Sequence, residues 1–181
     1  MIRRIAGSGS ILFVAWLLAS ACSPKPTLES VFQQQLDRSL ENSLETARAD
    51  ALGWQADARL HQIRMNVDKD GAVTWKFHWL SDAAGSFLET FSGAASFRNS
   101  GLDPEPQAKA TLEPDSTVGF DELGITLQQN GVDLAGVEPD QVSTIQLGHE
   151  THLDPAGYYY YVFLTSGKQH WVRANDGAFI K

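Results

Sequence analysis

Apolar residues recur every four positions from residue 28 onward: Leu28, Phe32, Leu36, Leu40 and Leu44, with Val31, Ala47 and Ala51 widening the stripe. That spacing lines side chains up along one side of a 3.6-residue turn and predicts a single amphipathic helix over 27–52. Thr27 or Ser30 suits its start, where a side-chain oxygen can accept from a free backbone amide, and Gly53 suits its end. The opposite face carries Gln33, Gln34, Asp37, Arg38, Glu41, Glu45 and Arg48, and reads as solvated surface.

The period then changes to two. Over 59–67, Ile63, Met65 and Val67 alternate with Arg64 and Asn66, as one-sided burial of a strand requires. Asp68-Lys69-Asp70-Gly71 is a turn, with glycine free to take a positive φ. Over 73–81 the alternation returns, with Val73, Trp75, Phe77 and Trp79 on one side and Thr74, Lys76 and His78 on the other; the first of these sides should be core. A third strand is predicted over 86–97, where Phe87, Phe91 and Phe97 share a parity.

Residues 98–117 hold three of the seven prolines and few large apolar side chains, and read as a linker or long surface loop. Beyond it, Phe120, Leu123, Leu127 and Leu134 form a second helical stripe, interrupted by Gly124 and Asn130-Gly131 and ended by Pro139. Strand patterns resume at 142–147, 158–165 and 169–174, followed by Asn175-Asp176-Gly177 and the apolar Ala178-Phe179-Ile180. The second half thus repeats the element order of the first, with turn glycines Gly71 and Gly157 lying 86 residues apart. An α+β fold follows, with helix packed on antiparallel sheet in two similar helix-plus-three-strand units, 28–97 and 118–181. The order of elements suggests an internal duplication.

Composition sharpens the picture at the N-terminus. Arg3 and Arg4 precede a nine-residue apolar run, Ile11 to Ala19, too short to span a ~30 Å hydrocarbon core as a helix. Ser20 and Ala21 are small, and Cys22 is the one cysteine of the chain. Leu18-Ala19-Ser20-Ala21-Cys22 resembles the lipobox of bacterial lipoproteins, departing from it in carrying Ala19 where leucine is usual. The resemblance implies that 1–21 is a signal peptide, that Cys22 is lipidated, and that 22–27 is a tether stiffened by Pro24 and Pro26. Ser23, rather than aspartate, after the cysteine implies the outer membrane, facing the periplasm. Each buried acyl CH₂ contributes ~0.8 kcal/mol, so several chains on Cys22 would anchor the domain firmly without a spanning helix. Removing 1–21 leaves 160 residues and moves the side-chain charge from −8 to −10. An acidic body without a Lys/Arg cluster argues against nucleic acid as a partner.

The C-terminal strands, Tyr158 to Phe163 and His170 to Ile180, are similar to the end of a PepSY domain: Val172 and Ala174 alternate, Asp176-Gly177 turns, and Ile180 closes. That family is a small helix-plus-antiparallel-sheet module, so the resemblance implies PepSY-like units, a cystatin-like helix-on-sheet arrangement being the alternative. The family's association with envelope proteins and peptidase inhibition implies such a role here.

Candidate chemistry is sparse. His149-Glu150-Thr151-His152 lacks the HExxH spacing and reads as polar residues leading into a hairpin, so no metal is assigned to it. His61, His78 and His170 read as exposed strand residues. Neither a GxSxG nucleophile motif nor a glycine-rich phosphate loop occurs in the body of the chain, and no catalytic residue or cofactor is predicted. Tyr158, Tyr159, Tyr160 and Tyr161 place rings on both faces of one strand, so one alternate pair should enter the core and the other be covered or offered to a partner. The expected function is that of a lipid-anchored, non-enzymatic module binding an envelope protein or peptide; a structural or assembly factor in envelope biogenesis is the alternative.

Overall fold

The leucine stripe that begins at Leu28 folds as helix, but in two pieces. In the computed structural model, which describes residues 25–92, 98–102 (backbone alone), 111–149, 153 and 157–180, α1 is Leu28–Phe32 and α2 is Leu36–Trp54. Gln35 between them sits in the left-handed region at φ 53°. A straight helix would commit the Leu36 amide to a carbonyl four residues back. Here it donates instead to Asp121 Oδ1 at 2.8 Å. α1 opens on a capping box between Thr27 and Ser30, and its Leu28 and Glu29 amides donate to the carbonyls of Val137 and Leu134.

Among the described residues, seven antiparallel strands form one sheet: β1 (Arg59–Val67), β2 (Val73–Ser81), β3 (Ser86–Phe91), β4 (Arg98–Leu102), β5 (Val142–His149), β6 (Tyr158–Leu164) and β7 (Gln169–Arg173). Their order is β4-β3-β2-β1-β5-β6-β7. Each half of the chain is therefore a meander, and the two meet through their first strands, β1 against β5. The turn at Asp68 forms as its residues dictate: Asp68 Oδ1 accepts from the amides of Asp70 and Ala72, and Gly71 takes φ 80°.

The expected linker is corrected at both ends. Residues 98–102 are strand, pairing with β3 from Ser86↔Leu102 to Thr90↔Arg98. A ladder uses backbone groups that any non-proline residue supplies, so poor side-chain patterning did not prevent it. At the other end Leu112 is buried at 1% exposure, and its amide donates to the Leu60 carbonyl. Residues 103–110 lie outside the described set, as does the 93–97 stretch of the expected third strand.

Gly124 does not interrupt the second helix, α3 (Phe120–Gln129); it lies within it. A Cβ at this position would come within 2.7 Å of Phe32 Cβ, so the glycine lets α3 approach α1 closely. Leu134 reaches the core from the loop that follows, not from a longer helix.

Among the described residues, the three α-helices lie on one side of the sheet. Trp75, Phe77 and Trp79 face them fully buried, as their parity predicted. Phe120 lies edge-on between Trp75 of the first half and Tyr160 of the second, with both centroid distances 4.9 Å. One aromatic ring of α3 thus joins the two halves into a single core. At the C-terminus Gly177 turns at φ 68° and Phe179 makes an isolated bridge to Val172.

Candidate functional site

Because side chains alternate along a strand, the residues between core positions point to the side opposite the described helices. Register places them in rows. One row across six strands reads Phe91, Lys76, Arg64, Gln146, Tyr161, Trp171. The adjacent row reads Glu89, His78, Gln62, Gly148, Tyr159, Arg173. Every residue of the first row is half-buried, so this face is packed within itself yet still open to contact.

The face has two aromatic ends and a polar middle. At one end His78 stacks on Phe87 at 4.9 Å, and Lys76 Nζ lies 5.4 Å from the Phe91 ring centre while pairing with Glu89. At the other end Tyr161 lies 4.3 Å from Trp171 and is nearly parallel to Phe163 at 6.1 Å. Between them Arg64 donates from Nη2 to Gln146 Oε1 at 3.3 Å, and its buried Nε finds no acceptor among the described residues. Aromatic area beside a guanidinium and amide groups is the chemistry enriched in protein recognition surfaces.

The four tyrosines separate. Tyr160 is 1% exposed, faces the helices and donates its hydroxyl to the Val118 carbonyl; burial is the largest reason its phenol is pushed far above the ordinary value. Tyr158 shares that side at the rim, where burial first and Glu113 second raise its phenol against the opposing influence of Arg59. Tyr159 and Tyr161 face the open side. Tyr159 is nevertheless only 6% exposed, with its ring against Gly157, where a Cβ would come within 2.8 Å. Of the four, only Tyr161 lies in the open aromatic cluster, and Tyr160 is withdrawn from any partner surface.

The histidines are corrected too: His61, His78 and His170 are half-buried rather than exposed. His170 pairs with Val162 on the core side, and burial, with Lys168 behind it, holds its imidazole below the ordinary value. His149 ends β5 with its ring 5.8 Å from Tyr158, whereas Glu150 and His152 lie outside the described residues, as does Cys22. Among the described residues, no three His, Cys, Asp or Glu side chains cluster as a metal would need.

On the helix side, Asp37 is half-buried rather than part of a solvated face, and with Asp121 it links the N-termini of α2 and α3. Asp37 Oδ1 accepts from the Phe120 amide at 2.6 Å and Oδ2 from the Asp121 amide at 3.2 Å, while Asp121 in turn caps Leu36. Each carboxylate satisfies orphan amides of the other helix and meets the favourable end of its dipole. Gly119 makes room, since a Cβ there would lie 2.1 Å from Asp37 Oδ2. Nothing in the residues around Asp37 hints at a partner 84 residues away.

Burial is the main reason that Asp37 titrates above 3.8; the Phe120 and Asp121 amides oppose it, and the Asp121 carboxylate reinforces it. With its folded value raised, this carboxyl adds stability as pH falls toward 3.8 and loses that contribution as pH rises through the folded value. Asp37→Ala is expected to cost about 1–2 kcal/mol by uncapping α3. Asp37→Asn keeps one acceptor and should cost less. Its stability relative to the parent should also rise between pH 4 and 7, as read by urea denaturation at each pH.

No family model matches the chain, and no curated protein matches its sequence. Among solved structures, its fold is similar to that of a protein from Clostridium difficile 630 described as a "putative lipoprotein (CD1622)". The TM-score is 0.53, over 77% of this chain and 90% of that one, at 12% identity. A likeness at that identity is one of fold. No helix among the described residues is long and apolar enough to cross a membrane.

Proposed function

We propose that this chain is a lipid-anchored protein of the bacterial cell envelope that acts by binding a protein or peptide on the open face of its sheet, without catalysis. The observation that carries the binding reading is the half-buried cluster of Tyr161, Phe163 and Trp171 beside Arg64 and Gln146 on a sheet face that no helix among the described residues covers. Support for the anchor comes from the charged, apolar and small-residue succession that ends at Cys22, and from the lipoprotein description carried by the structural neighbour. Outer-membrane residence rests on Ser23.

A pair of PepSY-like units is the proposed origin of the fold. In its favour are a strand order that runs outward from β1 and β5 alike, and the Asp37 and Asp121 caps exchanged between corresponding helices. Peptidase inhibition is the specialised form of the binding role that such a unit implies.

The test has two arms. Metabolic labelling with a fatty-acid analogue should mark the parent and not Cys22→Ser; equal labelling would defeat the anchor. Capture of an envelope protein by the parent should be lost in the Tyr161→Ser/Trp171→Ser double variant and kept in Leu52→Ser, a site 50% exposed on α2. Equal capture by all three defeats the open-face reading. Capture of several subunits of one envelope complex in place of a single protein or peptide would favour the assembly role.

A further inference from the structure

The chain is fastened to its own body almost immediately after Cys22. Lys25 pairs with Glu138 at 3.3 Å, and Pro26 packs on the turn between β1 and β2, its Cβ 3.0 Å from where a Cβ of Gly71 would stand. Thr27 then caps α1, the Leu28 amide donates to the Val137 carbonyl at 2.7 Å, and Gln34 Nε2 donates to the Gly71 carbonyl at 2.8 Å. Lys25, Pro26, Lys69, Asp70, Glu138 and Asp140 converge on one shallow concavity of about 280 Å³ at this end of the sheet.

Three peptide units separate the Cα of Cys22 from that of Lys25, a reach of at most ~11 Å at 3.8 Å per step. Resting on the proposed lipidation of Cys22, we infer that the strand-end edge of the sheet, formed by the Asp68–Ala72 turn and the 137–140 loop, is the surface that lies against the lipid bilayer. The strands then stand upright on it. β1 ends at this edge and β2 leaves it, and each has nine residues, so at ~3.3 Å per residue the Asp82–Gly85 turn stands about 30 Å farther out. The open face of the sheet, which bears Tyr161 and Trp171, is consequently held sideways to the membrane and available to partners at its surface.

The edge itself is not a basic patch. Lys25 and Lys69 are each paired, with Glu138 and Asp70, while Asp140 adds negative charge. Headgroup attraction therefore does not hold it; the length of the tether does.

Full-length chain, lipidated in cells and reconstituted into phosphatidylethanolamine/phosphatidylglycerol vesicles, tests this. With Cys22 thioether-linked, Asp70→Cys or Ala83→Cys supplies a single free thiol for a fluorophore. Nitroxide on lipid headgroups should quench the label at 70 several-fold more than that at 83. Inserting ten Gly/Ser residues between Ser23 and Pro24 should erase the difference, because such a linker has an r.m.s. reach of roughly 16–19 Å. Vesicle flotation separates the two claims. Protein that fails to float overturns the anchor and the edge with it, whereas floating protein quenched equally at 70 and 83 overturns the edge alone.

Discussion

Phe77→Ala is expected to cost about 3–5 kcal/mol, the range for emptying an aromatic site in a close-packed core. Phe77 is 0% exposed at the centre of β2, paired with Ile63 on one side and Thr90 on the other, with Trp79 6.4 Å away along the strand. Its neighbours belong to a sheet whose backbone positions are fixed by two ladders, so they can move little to refill the space. A loss of that size takes much of the stability of a domain this small. Chemical denaturation measures it; a midpoint close to that of the parent would show that the site collapses and that the core is looser than its burial implies.

The second large effect separates two adjacent tyrosines. Tyr160→Ser should cost about 3–5 kcal/mol, since it removes the ring that meets Phe120 and strands the Val118 carbonyl. Tyr161→Ser should cost about 1 kcal/mol, the value of an aromatic pair at a half-open site, here the contact with Trp171. Thermal melts of the two single variants decide it. Equal losses would mean that the open face is as structurally committed as the core, and the binding reading would lose its basis.

These two residues mark how far the sequence could be read. Parity along β2 identified the buried side of that strand because polar residues alternate there. Parity along β6 could not, since Tyr158 to Tyr161 and the residues after them are apolar on both sides. Which ring goes inward was settled by where α3 lies, through Phe120 and the Val118 carbonyl. Likewise Phe87 and Phe91 share a parity in the sequence, yet face the open side, because Leu88 and Thr90 take the inner positions and Thr90 receives the Trp79 indole N–H.

The helix period, the alternating strands, the turns at Gly71 and Gly177 and the succession of charged, apolar and small residues ending at Cys22 are properties of neighbouring residues, and the sequence alone determined them. Steric and hydrogen-bonding rules act over a few positions and need no knowledge of the rest of the chain. The break at Gln35, the exchange of caps between Asp37 and Asp121, the place of Gly124 against Phe32, the addition of β4 and the exposure of the Tyr161 cluster were decided only by tertiary structure. Each depends on a partner many residues away. An amide that could close a helical turn will bond a distant carboxylate instead when folding brings that carboxylate within 2.8 Å, and no local pattern carries that distance.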